Sequence, residues 1–274
     1  MKAELHIQTA LRNGKTFLKK AYHTTPLKIA DIREDRSQKL LRLMLMSSSP
    51  GILDGDEYRI KIEVNEACSL ELQTQSYQRI FSMKNGASQF TEVHLAKGAS
   101  YSYLPHPSVP HVSSVFIAKN KIFLSSGCNL LWGEVLTCGR KLTGEQFLFS
   151  KYHNVTEVFL HNKLVIKENL LLQPSATDVS LIGQLEGYTH QASLLYLNET
   201  VSVNALVTEL HQLLLTPKNI CFGVSALPVA GLVVRMLGYQ AEQLHNLHKI
   251  IADYITTFML TTGNTAIKAG AHAN

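Results

Sequence analysis

Ala67-Cys68-Ser69-Leu70-Glu71-Leu72, Gly98-Ala99-Ser100-Tyr101-Ser102-Tyr103 and Gly127-Cys128-Asn129-Leu130-Leu131-Trp132 read as three copies of one unit: two small residues, a polar one, then a strand. The copies lie 31 and 29 residues apart. A turn-then-strand unit at that period predicts stacked β layers, as in solenoid-like folds, where each repeat buries its apolar face on the next. Chance recurrence of ordinary turn chemistry is the competing reading. The comparison also bears on the thiols. Cys68 and Cys128 stand where the middle copy has Ala99, so they are expected as small packing residues and not as ligands.

Outward from the repeat, alternation of period two dominates the first two thirds of the chain. Tyr58, Ile60, Ile62 and Val64 point one way while Glu57, Arg59, Lys61 and Glu63 point the other, the pattern of a half-buried strand. Further strands are predicted near 5–11, 16–22, 39–46, 91–95, 100–104, 114–118, 121–125, 129–137, 145–150, 155–160, 163–172, 178–183 and 192–197. Two helices follow. Asn204–Leu215 is predicted with a cap at Ser202 or Asn204, and Ala241–Met259 places Leu244, Leu247, Ile251, Tyr254, Ile255 and Phe258 on one face. Between them 220–234 is expected extended, interrupted by Gly223, Pro228 and Gly231. The stretch Thr261–Asn274 is small and polar and reads as a disordered tail. With no linker in view, one domain is expected.

Composition narrows the function. The 274 residues are 45% hydrophobic and 17% charged, with a formal charge of +5 spread along the chain. A nucleic-acid binder would carry an unbroken basic stripe with stacking aromatics, so nucleic acid is not expected as a partner. The N-terminus lacks the apolar core of a secretory signal, and no apolar run approaches the roughly 20 residues that span a bilayer. A cytoplasmic location without membrane contact is expected, with the four cysteines as free thiols. The sequons at Asn154-Val155-Thr156 and Asn198-Glu199-Thr200 then have no glycosylation context.

Enzyme motifs are missing. Gly14-Lys15-Thr16 imitates the end of a phosphate loop, but the first glycine of that motif would fall at Thr9 and Asn13-Gly14 reads as a hairpin turn. His245 and His248, spaced i, i+3 on the last helix, could present two imidazoles to a metal; two exposed surface histidines are the simpler expectation. His106 and His111 flank a proline-rich bend and are expected to be structural. Three carboxylates stand out: Asp56 in a turn, and Glu134 and Glu168 in otherwise apolar strands. An acid in such a strand must be paired, protonated, or facing water or metal. Each could instead lie on a solvated face, and spacing alone gives no reason for the three to converge.

Five segments, in order, resemble the UreD (UreH) family of urease accessory proteins. Ser49-Pro50-Gly51-Ile52-Leu53-Asp54-Gly55-Asp56 is similar to its Ser-Pro-Gly-Gly to Gly-Gly-Asp element, with Ile52, Leu53 and Asp54 departing from the usual glycines. Thr74–Phe81 resembles its "TQ(A/S)xxKxY" strand, with Arg79 at the lysine. Leu104–His111 resembles its "LPxPxIPF" bend, Leu131–Arg140 with Thr143–Phe147 its "GR…GE.F" block, and Gly187-Tyr188-Thr189-His190 its "GYTH" segment. The resemblance implies a single UreD-like domain over 1–274, mainly β: a β-helix-like stack of many short strands with two α-helices toward the C-terminus. It also implies a non-enzymatic scaffold that binds apo-urease and UreF, recruits the GTPase UreG through UreF, and relays nickel to the urease active site. Asp56, Glu134 and Glu168 are the expected metal residues, lining a passage for nickel in transit with no tightly bound cofactor. Oxygen ligands suit a handover, since tight His/Cys sites would retain Ni²⁺. Replacing Glu134 or Glu168 by Leu is then expected to leave folding intact while lowering nickel incorporation. The alternative is a β-solenoid-like carbohydrate-active enzyme using the same carboxylates as a pair, although a single Trp offers little platform for sugars.

Overall fold

The structure, a computed structural model, describes the backbone of residues 1–270 and the side chains through residue 259 and at Thr261. The chain runs β1 (Lys2–Arg12), β2 (Lys15–His23), β3 (Leu27–Asp31), β4 (Leu41–Ser47), β5 (Glu57–Val64), β6 (Ser69–Thr74), β7 (Gln78–Ile80), β8 (Ala87–Leu95) and β9 (Ser100–Tyr103). It continues through β10 (Ser108–Pro110), β11 (Val115–Leu124), β12 (Asn129–Thr137), β13 (Lys151–Leu160), β14 (Lys163–Leu172) and β15 (His190–Asn198). Helix α1 (Val203–Leu214), β16 (Ile220–Ala226), β17 (Gly231–Gly238) and helix α2 (Ala241–Gly270) complete it.

The repeat is the axis of the fold. Leu41, Leu70, Tyr101 and Leu130 pair in parallel register across β4, β6, β9 and β12, reproducing the spacings of 31 and 29 residues. After each of these strands the chain crosses to the facing sheet. There Ile60, Thr91, Asn120 and Thr156 pair in parallel across β5, β8, β11 and β13. Between the two sheets lies a short third side, where Ile52 bridges Ile80 and β7 pairs β10. The result is a β-helix-like coil whose turns each visit three sides, and no barrel closes. Cys68, Ala99 and Cys128 are all buried at equivalent corners. All four cysteines are free.

The first sheet runs β14-β13-β11-β8-β5-β1-β2, the second β16-β17-β15-β12-β9-β6-β4-β3. One apolar cluster fills the space between them. A second lies on the outer face of the second sheet, where Leu131, Val135, Leu194 and Val234 meet Leu206 and Leu210 of α1 and Leu244 and Ile251 of α2. Strands β12 and β15, and β17 apart from Arg235, are therefore largely buried on both faces, which explains their apolar runs.

Several expectations need correction. The strands expected at 114–118 and 121–125 are one strand, β11, whose Asn120 is an inward residue and not a break. Residues 145–150 and 178–183 form turns and loop, with backbones tied by bonds such as Phe147 N–H to the Cys138 carbonyl and Leu185 N–H to the Val179 carbonyl. The 220–234 segment is a hairpin closed around 227–230, with Gly223 inside β16. Helix α2 continues past Met259 through Gly270, into the stretch expected to be a disordered tail. The Thr256, Thr257 and Thr261 hydroxyls bond back to helix carbonyls at 252, 253 and 257, so these polar residues are absorbed without ending the helix. The remainder of that stretch, 271–274, lies outside the described residues.

Candidate functional site

On the inner face of the first sheet, side chains are set in rows by the parallel register. The row Ile62, Val93, Ile122, Val158 and Ile166 is wholly apolar. The next is Ile60, Thr91, Asn120, Thr156 and Glu168, and the one after it Tyr58, Gln89, Ala118, Asn154 and Leu170. A polar belt thus crosses an apolar interior, with Thr91, Asn120, Asn154 and Thr156 each 6% exposed or less. Buried amides and hydroxyls on this scale require partners. Gln89 Nε2 donates to Thr91 Oγ1 at 3.4 Å, and Glu134 supplies an acceptor for the other three from the opposite sheet.

In β12, residues alternate between the two clusters: Leu131 and Val135 face the helices, while Trp132, Glu134 and Leu136 face the first sheet. Glu134 Oε1 accepts hydrogen bonds from Trp132 Nε1 at 2.9 Å, Thr156 Oγ1 at 3.2 Å and Asn120 Nδ2 at 3.4 Å. Its Oε2 accepts from the Asn154 amide, whose Oδ1 in turn accepts from Asn120 at 3.0 Å. Burial pushes the Glu134 carboxyl above the usual carboxylate range. The bonds from Trp132, Thr156 and Asn154 pull it back, and the negative charge of Glu168 adds to the rise.

Glu168 lies one strand beyond Thr156, on the edge strand β14. It is clamped from the other sheet by Arg235 of β17, one guanidinium nitrogen standing 2.7 and 2.8 Å from its two oxygens. Arg235 occupies the same sheet row as Glu134, through Ser193. Glu134, Glu168, Arg235, Asn120, Asn154 and Thr156 all line one cavity of about 790 Å³ between the sheets. Its walls extend from the corner loops around Pro50, Gln75 and His106 to the edge marked by Glu168 and Arg235. Side chains reach solvent at both extremities. No cysteine lines it, and among the described residues no three His, Cys, Asp or Glu side chains converge as a fixed metal centre.

Asp56 is not in those walls. It is 3% exposed and holds the corner together, accepting from the Met1 amine at 2.9 Å, the Leu53 amide at 2.8 Å and the Tyr58 hydroxyl at 3.2 Å. The surrounding turn has similar structural demands. Gly55 adopts a φ of +76°, and a Cβ on Gly51 would collide with the Arg79 carbonyl that Ile52 N–H bonds. Two of the three expected carboxylates are therefore brought together and the third is kept apart.

The histidines also differ from expectation. His245 and His248 are 1% and 0% exposed, packed under α2 against β12, and not on the surface. The absence of a side chain at Gly133 makes room for this: a Cβ there would lie 3.0 Å from His248 Nδ1 and 2.6 Å from a Leu104 methyl. The His245 ring lies against His106, with centroids 4.7 Å apart. Neither ring nitrogen of His245 or His248 meets a protein partner among the described residues.

The residues that sequence reasoning missed are those that hold Glu134. Asn154 and Thr156 were visible only as a sequon, yet their spacing of two in a strand places both on one face. That face is the interior.

These features define a β-helix-like protein with an interior cavity that holds two carboxylates and a helical layer on one side. The family model for UreD urease accessory protein matches residues 1–267. The urease accessory protein UreD of Flavobacterium johnsoniae is 49% identical over 244 residues, covering 89% of this chain and 88% of that protein. Those of Acetivibrio thermocellus and Actinobacillus pleuropneumoniae are each 34% identical, covering 92% and 93% of this chain and 97% of their own. The chain belongs to the UreD family of urease accessory proteins. It is an accessory protein and not an enzyme, which removes the carbohydrate-cleaving alternative. No helix among the described residues is long and apolar enough to cross a membrane.

Proposed function

We propose that this chain is a cytoplasmic scaffold of urease maturation that binds apo-urease and UreF, recruits UreG through UreF, and passes nickel through its interior cavity. The observation that carries the reading is the cavity between the two sheets, where Glu134 and Glu168 project into a space whose walls mix amide and hydroxyl groups with apolar side chains such as Ile60, Phe116 and Leu195. Carboxylate and amide oxygens bind a divalent ion less tenaciously than thiolate and imidazole, which suits an ion that must leave again. Solvent-reaching side chains at both extremities give such an ion a way in and a way out. Leu181 and Ile182, 55% and 93% exposed, sit beside the wall residues Gly183 and Gln184 and give a partner an apolar surface at the rim.

The test is co-expression of tagged chain with UreF, UreG and the urease subunits. Both UreF and apo-urease are expected to co-purify with the chain, and omitting the chain should leave urease without its nickel complement. Failure to retain either partner, or full nickel loading without the chain, would sink the proposal.

A further inference from the structure

We propose that Arg235 is the gate of this passage: it neutralises Glu168 and holds it across the gap between the two sheets, so that a divalent cation reaches or leaves that carboxylate only when the guanidinium lets go. The inference rests on the passage reading above and assigns it a residue that governs traffic. Glu168 and Arg235 come from strands of different sheets, so their pair spans the interior and does not decorate one surface. Arg235 is two strands from Glu134 along its sheet row, roughly 10 Å at the usual strand spacing. Thr156, which bonds Glu134, is the register partner of Glu168.

Exposure falls sharply along this line. The Arg235 side chain is 63% exposed and that of Glu168 30%, whereas Thr156 is 2% exposed. The ion pair therefore stands between bulk water and the buried Glu134 box. An ion pair so exposed is weak and opens at little cost. While closed, it sets a positive charge in the approach and occupies both oxygens that a metal would use. Without it, Glu168 would be a bare carboxylate near Glu134, and the two would hold a divalent ion rather than pass it on. The gate thus favours transit over storage.

The experiment uses the chain co-purified with UreF, titrated with nickel ion, and then challenged with apo-urease. Arg235→Gln is expected to raise nickel affinity at least fivefold and to slow delivery several-fold, while Arg235→Lys, which keeps a charge in the approach, stays close to the parent. Because the pair is exposed, melting temperatures of the variants should match the parent. Unchanged or weaker nickel binding in Arg235→Gln, with Glu168→Gln clearly weakening it, would overturn the gate and leave the passage standing. If Glu168→Gln alters neither binding nor delivery, the passage reading fails and the gate with it.

Discussion

Replacing Glu134 by Leu is expected to destabilise the fold by about 3–5 kcal/mol, against about 1–2 kcal/mol for Gln. The carboxylate is the common acceptor for Trp132 Nε1, Thr156 Oγ1 and the amides of Asn120 and Asn154. Leucine takes this acceptor from Trp132 Nε1, Thr156 Oγ1 and the Asn154 amide, while Asn120 Nδ2 keeps Asn154 Oδ1 and Thr156 Oγ1, and each unsatisfied buried donor costs about 1–3 kcal/mol before relaxation. Glutamine keeps one carbonyl oxygen where three of them converge and mismatches only the Asn154 contact. The expectation that an apolar residue at 134 leaves folding intact is therefore revised, and at 168 it is kept as a prediction. Glu168 has one exposed partner, and Glu168→Leu should cost less than about 1 kcal/mol. Urea unfolding of the three variants checks the ranking. Equal losses for Leu and Gln at position 134 would show that the donors find other acceptors and that the polar box is not a unit.

Acid should destabilise this protein before most of its carboxylates protonate. Burial holds His245 down to about 4, with the Lys249 charge and His106 adding to the effect and Glu242 opposing it; burial and His245 hold His248 down to about 3. His190 is likewise held down to about 4, by burial and by Lys141. A free histidine titrates near 6.5. Above that value neither the folded nor the unfolded chain binds these protons, so they contribute nothing to the pH dependence. Below it the unfolded chain takes them up and the folded chain does not, so stability falls as pH drops from about 6.5 toward 4. By pH 5 each imidazole costs about 2 kcal/mol, and the pair under α2 about 4 kcal/mol. Chemical unfolding at pH 7.5 and pH 5 measures this. His248→Leu should keep the stability at pH 7.5 or raise it, because neither nitrogen has a protein partner to lose. It should also remove about a third of the acid loss. An unchanged slope in that variant would mean that other groups drive the acid sensitivity.

Much of the fold is legible in the sequence because a coil repeats its constraints. Each turn must place small residues at the corner and a strand after it. Cys68, Ala99 and Cys128 mark those corners at the spacings the strand registers later show. What escapes notice is short or anomalous. Strands β7 and β10 have three residues each and exist because neighbouring turns offer them a ladder, not because their own sequences demand extension. Strand β11 reads from sequence as two strands because a buried amide at Asn120 looks like a break in an apolar pattern.

The same fact hid the site. Acids in apolar strands signalled that something must satisfy them, but Asn120, Asn154 and Thr156, which satisfy Glu134, are ordinary surface types until the register turns them inward. The helical period carries a further clue. His248 follows Leu244 by four and precedes Ile251 by three, so it falls on the buried stripe of α2, where an imidazole is unexpected but room exists over Gly133. Asp56 shows the opposite case. A carboxylate in a matching family segment need not face the cavity, and here its oxygens are taken up by Leu53, Tyr58 and the Met1 amine.

The most direct measurement is the nickel content of urease purified from cells whose accessory chain carries Glu134→Gln and Glu168→Gln together. Both substitutions preserve shape, so the chain should still co-purify with its partners. Nickel per active site is then expected to fall at least tenfold relative to the parent. Urease fully loaded with nickel in the presence of a folded, partner-bound double variant would contradict the account, because the ion would then have reached the enzyme without these two carboxylates.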